Sequence, residues 1–429
     1  MKIIKLKNLP AIEYQRIIKR ASGKLREIIP LVEKIIYDVR LAGDNAIYEK
    51  YQERYGKACY QSVFVSGEEI KEAYKKVSRD FISTINQMIR NITMVHEAQL
   101  RTKKDSVIEP LEGIKVWREW RPIEKVGLYI PGGKAIYPSS VLMSTIPAKI
   151  AGCREIVMCS PPKERGEIPY PTLVAADMVG IKKIFKVGGP EAIAALAYGT
   201  ESIPKVYKIF GAGNSYVTAA KLLSLSEVAV DMPAGPSEVL IIADETANPA
   251  FIAADLLADG EHGNDSACVL LTTSKIIALE VVAELEKQLL NLPTAKYIKE
   301  SLAKYGLIVL VDSIKEAINF ANEYAPEHLE LMVKNPEKII NKILNAGSVF
   351  LGDWTSKSAG DYATGANHVL PTGGTAKMYP PLGVDAFGKW MQVQKCTKTG
   401  LKNIKQTVET ISEVEQLPAH KNATSIRFL

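Results

Sequence analysis

The stretch VYKIFGAGNSYVTAAKLL, Val206 to Leu223, reads as a strand over 206–210, a glycine turn over Gly211–Asn214 and a helix from Tyr216 to Leu223. Working outward, the same alternation repeats. Upstream, Val126–Ile130 is an apolar strand running into Pro131-Gly132-Gly133, and Ile156–Met158 is a second strand. Thr172–Val179 reads as a helix, Lys183–Val187 as a strand stopped at Gly188-Gly189, and Glu191–Tyr198 as a helix. Downstream come strand Val239–Ile242, helix Pro249–Glu261, strand Val269–Thr272 and a helix from Lys275 to about Leu290. Strand Leu307–Val311, a helix opened by Ser313–Glu316, a helix opened by Asn335-Pro336 and strand Val349–Leu351 follow. Strands alternating with helices predict parallel sheets covered on both faces, so the fold class is α/β with two tandem units. A ligand cleft is expected at the carboxyl ends of the strands, where the glycine turns lie.

The flanks differ in period. Leu25–Tyr51 is helical, and Ser66 with Glu69 forms a capping box. It precedes a long amphipathic helix with the stripe Ile70, Ala73, Val77, Phe81, Ile85, Met88, Ile92 and Val95. His96 follows that stripe and reads as a helix-surface histidine. From Glu109 a period of two through Ile114–Trp120 predicts a hairpin. After the polar loop Ala359–Thr375 come an extended stretch near Gln392–Cys396, a helix from Lys402 to Glu415 and a tail.

Composition narrows the function. A chain of 429 residues with 47% hydrophobic and 24% charged residues is an ordinary globular protein of more than one domain. The net charge of +6 is spread without a basic arm, which excludes an obvious nucleic-acid interface. No apolar run is long enough to span a membrane and the N-terminus has no secretory pattern, so a cytoplasmic location is expected. The five cysteines, Cys59, Cys153, Cys159, Cys268 and Cys396, lack CxxC spacing, which argues against a disulfide framework or a thiolate metal site. Cys268 reads as a small core residue.

Chemistry concentrates around few side chains. There are five histidines, and Glu327-His328 sets a carboxylate beside an imidazole just after a helix stop. Such a pair suits proton transfer near neutral pH, although a solvated helix corner is the bland alternative. Asp259 and His262 lie on one face at the end of their helix and could share a divalent metal, unless they are simply its solvated end. Asp361 and His420 are further N/O donors suited to zinc, with nothing in their spacing to show convergence. The turn Gly211–Asn214 could hold a dinucleotide phosphate, but Tyr216 stands where a third glycine would be. Ser237, after Pro-Ala-Gly-Pro, is either a positioned hydroxyl or part of a hinge.

With these motifs laid out, the chain resembles the histidinol dehydrogenase family over nearly its full length. The resemblance rests on VGLYIPGGKAIYPSSVLMSTIPAKIAG (126–152), KIFGAGNSYVTAAK (208–221), DMPAGPSEVLIIAD (231–244), EHG (261–263), APEHLEL (325–331), GDYATGANHVLPTGG (360–374) and AHKNA (419–423). It implies two incomplete Rossmann-like domains, 109–236 and 237–385. An N-terminal helical region, 1–108, is expected on the second unit, and 386–429 forms a dimerisation arm of an intertwined homodimer. It implies a zinc-dependent four-electron oxidation of L-histidinol to L-histidine through the aldehyde, reducing two NAD. By resemblance Asp259, His262, Asp361 and His420 match metal ligands, with the C-terminal residues supplied by the partner subunit. His328 matches the base for the alcohol, and Glu327 the group that activates water. Ser237, His368 and Glu415 match substrate contacts, while Tyr129, Glu191 and Asn214 match cofactor contacts. Glutamine is usual in the family where this chain has Asp259 and Glu191, and proline precedes the residue matching Asn214, where Ala212-Gly213 stand here. These departures favour, as the alternative, a paralogue acting on another small alcohol with the same zinc and NAD. A degenerate, non-catalytic nucleotide or metal binder is a further alternative, opposed by intact Glu327, His328 and Asp361. An aldehyde dehydrogenase with a cysteine nucleophile fits less well, because no cysteine sits in a loop beside a base.

Overall fold

The computed structural model describes residues 1–20, 25–56, 60–100, 105–132, 135–232 and 235–429. Cys59, Gly133 and the Pro-Ala of the 231–238 run lie outside them. Two parallel sheets carry the fold. The five-stranded sheet has the order Lys183–Phe185, Glu155–Cys159, Lys125–Tyr129, Lys208–Phe210, Ala229–Val230. The six-stranded sheet has the order Lys2–Lys5, Leu307–Leu310, Ala267–Thr272, Glu238–Ala243, His328–Met332, Ser348–Leu351. Every pairing within both is parallel. Central strands Glu238–Ala243 and Ala267–Thr272 are buried at every position. Alternate side chains therefore feed separate cores: Val239 and Ile241 pack to one face, Leu240 and Ile242 to the other.

A three-stranded antiparallel sheet joins the expected hairpin, Ile108–Leu111 and Ile114–Pro122, to Gly388–Cys396. The extended C-terminal stretch is thus the third strand of that hairpin. The tail is helical over Pro418–Ser425 and packs on helix Lys398–Val414.

Several expectations are corrected. The N-terminal region is divided between the two units. Strand Lys2–Lys5 extends the six-stranded sheet, and Tyr14 stacks edge-on against Phe320. Helices Leu25–Ala42, Gly67–Lys76 and Arg79–Glu97 instead pack on helices of the five-stranded unit. The helix read over 25–51 breaks at Gly43, whose φ is +54°, and the long amphipathic one breaks at Ser78, which caps its second half. His96 is wholly buried, because it continues the apolar stripe from Ile92: its Nδ1 lies 2.8 Å from Ile92 O and its Nε2 3.2 Å from the Asn367 amide. Asn335-Pro336 opens short 3₁₀ turns rather than an α-helix. Within the supposed polar loop, Ser356 caps a short helix, Lys357–Tyr362, so Asp361 is a helical residue.

The junction between the sheets positions the site. The chain leaves the carboxyl end of strand Ala229–Val230 and, after 231–237, enters Glu238–Ala243 at its amino end. The first sheet therefore presents the carboxyl ends of its strands, as expected, whereas the second presents the amino ends. Ser237 and His328 stand before or at the start of their strands, which corrects the expectation that both units would use turns after strands.

The turn after Lys208–Phe210 is clamped. Asp231 accepts the Gly211 N–H at 2.8 Å, and the buried Lys221 ammonium pairs with Asp231 while donating to Gly211 O at 3.0 Å. Gly211 has φ +116°, and a Cβ there would lie 2.0 Å from Tyr129 O. Gly211→Ala should therefore cost at least about 2 kcal/mol, because the clash is with backbone. A denaturant midpoint equal to wild type would contradict this packing.

Candidate active site

One cleft of about 360 Å³ opens where the two sheets meet. Tyr129, Gly211 and Asn214 line it from the first unit; Ser237, His262, Glu327, His328, Asp361 and His368 line it from the second. Sequence reasoning thus names residues that the fold brings together from separate parts of the chain. Helix Ile314–Tyr324 ends at Ala325, whose φ of +49° turns the chain so that Glu327 and His328 enter the sheet.

His328 is buried, and its ring is oriented by the backbone. Its Nδ1 lies 3.0 Å from Glu238 O, so Nδ1–H donates there and Nε2 is left as the basic nitrogen. Nε2 has no hydrogen-bond partner among the described residues and stands 3.6 Å from Asp361 Oδ1. Burial alone would lower the His328 pKa, but Glu327 and Asp361 outweigh it and the net shift is upward. Glu327 Oε2 accepts the Glu238 N–H at 2.9 Å and lies 3.6 Å from His328 Nδ1. Burial pushes the Glu327 carboxyl up to about 8, against the pull of His328.

That shift has a consequence for stability. The folded value lies above the model-compound 4.5, so the protonated carboxyl favours the fold. Stability present at low pH should be lost as pH rises from about 4.5 through about 8. Glu327→Gln, still able to accept the Glu238 N–H, should flatten this loss. Melting temperatures of the metal-free proteins should diverge in the variant's favour between about pH 6 and about pH 9, and parallel curves would contradict the burial argument.

His262 lies just beyond helix Pro249–Gly260, with Nδ1 2.8 Å from Ser237 Oγ and Nε2 3.4 Å from Lys357 Nζ. Burial, aided by Lys357, lowers its pKa to about 4, which keeps the imidazole neutral. Asp259 is wholly buried, and neither carboxylate oxygen has a hydrogen-bond partner among the described residues. Burial opposes ionisation of Asp361, yet His328 and Lys357 hold its carboxyl below the usual range. His368 is fixed by Nδ1 at 2.8 Å from Asp361 O and Nε2 at 3.2 Å from Ser140 Oγ.

Lys357 was not anticipated as part of the site. Its side chain is 1% exposed, and Nζ lies 3.0 Å from Asp361 Oδ2 and 3.3 Å from Asp259 Oδ1. Burial would discharge it, but Asp259, Asp361 and Glu327 prevail and hold its pKa above the ordinary lysine value. The available signal was the i, i+4 spacing of Lys357 and Asp361, visible only if 357–362 is read as a helix.

Some expected residues stand elsewhere. Glu191, in the first turn of helix Gly189–Tyr198, is buried and paired with Lys50 rather than lining the cleft. That pairing offsets its charge. Tyr129 Oη is 3.3 Å from Gly189 N, which ties the two turns together, and burial pushes the phenol up to about 12. Asn214 caps helix Ser215–Leu223 through its Oδ1. Glu415 and His420 are exposed in the C-terminal helical region and do not line this cleft. Cys268 is buried against Leu256 O, a core residue as read.

The donor types suit a divalent metal, and the orphaned Asp259 oxygens fit a cation. Among the described residues, however, no three His, Cys, Asp or Glu side chains close tightly enough to hold one. Lys357 Nζ stands between them. For a dinucleotide, the Gly211–Asn214 turn at the start of a nine-residue helix offers a phosphate cradle.

A nucleotide-type turn on one parallel sheet facing an acid/base cluster on the next defines an α/β enzyme of the dehydrogenase class. The sequence model for histidinol dehydrogenase matches residues 18–428, and the chain belongs to that family. It is 47% identical to the histidinol dehydrogenase of Bacteroides thetaiotaomicron over 100% of this chain and 99% of that one. It is 45% identical to that of Methanocaldococcus jannaschii over 100% and 99%. The crystal structure of histidinol dehydrogenase from Elizabethkingia anophelis superposes with a TM-score of 0.93 at 45% identity, covering 100% of this chain and 97% of that one. No helix among the described residues is long and apolar enough to cross a membrane.

Proposed function

We propose that this chain is a cytoplasmic enzyme that oxidises L-histidinol to L-histidine in two successive hydride transfers. The observation that carries the reading is the single cleft shared by Glu327, His328, His262 and Asp361 on one side and the Gly211–Asn214 turn on the other. NAD, bound along that turn, would accept the two hydrides. Zinc, held by Asp259, His262 and Asp361 with His420 of a second copy, would orient the substrate's amine and imidazole nitrogens.

The chain's own groups handle the protons. His328 Nε2 takes the alcohol proton as the carbinol hydride leaves, giving the aldehyde. Glu327, as the carboxylate, takes a proton from water as its oxygen adds to the aldehyde carbon. Loss of a second hydride from the resulting hydrate anion gives the carboxylic acid, which ionises. Ser237 and His368, both lining the cleft, would hydrogen-bond substrate. Burial of the acid/base pair excludes bulk water from both steps.

A homodimer completes this reading. Ile411, Val414, Leu417 and Ile426 are exposed apolar side chains of the C-terminal helical region, which a second copy would cover. Glu415 and His420, exposed on that arm, would then reach the second copy's cleft. An alternative substrate, another small alcohol, is favoured by Asp259 standing where glutamine is usual. Initial rates over a panel of amino alcohols separate the two. L-Histidinol should give the highest kcat/KM, and a preferred alcohol lacking the imidazole would sink the reading.

A further inference from the structure

Lys357 brings a buried ammonium to the place that the proposed metal would need. Nζ lies 3.0 Å from Asp361 Oδ2, 3.3 Å from Asp259 Oδ1 and 3.4 Å from His262 Nε2. A zinc ion binds such donors at about 2.0–2.2 Å, so an ion reaching all three would lie against the ammonium. Two cations cannot share that space in a buried site without a large repulsive cost. Resting on the zinc reading above, we infer that Lys357 is a resident cation of this site, which must swing out from between Asp259, Asp361 and His262 before a divalent ion can enter.

The local architecture holds the lysine in place. Ser356 caps the helix, the Lys357 N–H approaches Asp255 Oδ1 at 3.3 Å, and Asp361 sits one turn later on the same face. Asp259 supplies a formal charge, and Lys357 offsets it. The offset is incomplete: neither Asp259 oxygen has a hydrogen bond among the described residues, so the carboxylate remains open to a stronger cation. Lys357 thus stabilises the metal-free cluster by offsetting the Asp259 and Asp361 carboxylates, and it weakens metal binding by competing for the same donors.

The test is zinc affinity of the metal-free full-length protein, measured by competition with a chromogenic chelator, for wild type and Lys357→Gln. The variant should bind zinc at least about tenfold more tightly. It should also melt at a lower temperature than wild type without metal and recover that difference with zinc. Equal or weaker zinc affinity in the variant would overturn the inference while leaving the zinc reading intact. Failure of both proteins to bind zinc would overturn the zinc reading and this inference with it. Should the variant not fold, the structure of zinc-loaded wild type decides. Lys357 Nζ must be displaced beyond about 4 Å from Asp259 and Asp361, and its persistence between them beside the ion would overturn the inference.

Discussion

Replacing His328 by alanine should lower NADH formation from L-histidinol by roughly a hundred- to ten-thousand-fold, the range for loss of a positioned general base. The imidazole is suited to that role by its surroundings. Its Nδ1–H is committed to Glu238 O, so the basic nitrogen is Nε2, which has no hydrogen-bond partner among the described residues and belongs to a cleft-lining side chain. Glu327 and Asp361 favour the imidazolium that forms when the alcohol proton arrives. No other histidine has this combination: His262 is tied to Ser237 and Lys357, and His368 to Asp361 O and Ser140. The Gly211–Asn214 turn lies on the other unit, so NAD affinity should change by less than about threefold. A rate within about threefold of wild type, in a variant that binds NAD normally, would remove His328 from the mechanism.

Glu327→Gln should separate the two oxidations. The amide can still accept the Glu238 N–H, so the local fold is kept, but it cannot take a proton from water. The first hydride transfer, which depends on His328, should survive within about tenfold, while the second should slow by roughly a hundredfold or more. In a single turnover the variant should therefore yield close to one NADH per histidinol, with the aldehyde recoverable by an amine trap. Equal slowing of both steps would mean that Glu327 acts only through His328, 3.6 Å away, and would assign it a positioning role.

Much of this was legible in the chain. Alternation of apolar strands with amphipathic helices gave the paired α/β units, because a parallel sheet buried on both faces must be written in continuous apolar runs such as Val239–Ile242. The residue types at Glu327, His328, Asp259, His262 and Asp361 were readable as chemistry, and the glycine at 211 as a turn. What was hidden depends on three-dimensional convergence. The cleft uses the amino ends of the second sheet because the 231–237 crossover runs from the end of one sheet to the start of the next, which no local pattern records. His96 reads as a surface residue because it is polar, whereas it continues the buried stripe and its Nε2 finds a partner in Asn367, far along the chain. Lys357 carried the least visible signal: a lysine beside serines in a loop-like stretch reads as solvated, and its burial follows from the Asp259 and Asp361 carboxylates that enclose it. The helix start at Ser356, a cap followed by only six helical residues, is too short for periodicity to reveal.

The central claim is that one cleft in this chain carries an alcohol through the aldehyde to the acid. Its most direct test is the count of NADH formed per L-histidinol consumed by zinc-supplemented wild-type protein under excess NAD, with the product identified chromatographically. The account predicts two NADH and L-histidine, with turnover lost on treatment with a chelator. One NADH with accumulated aldehyde, or no turnover from a protein that still binds NAD, would contradict it.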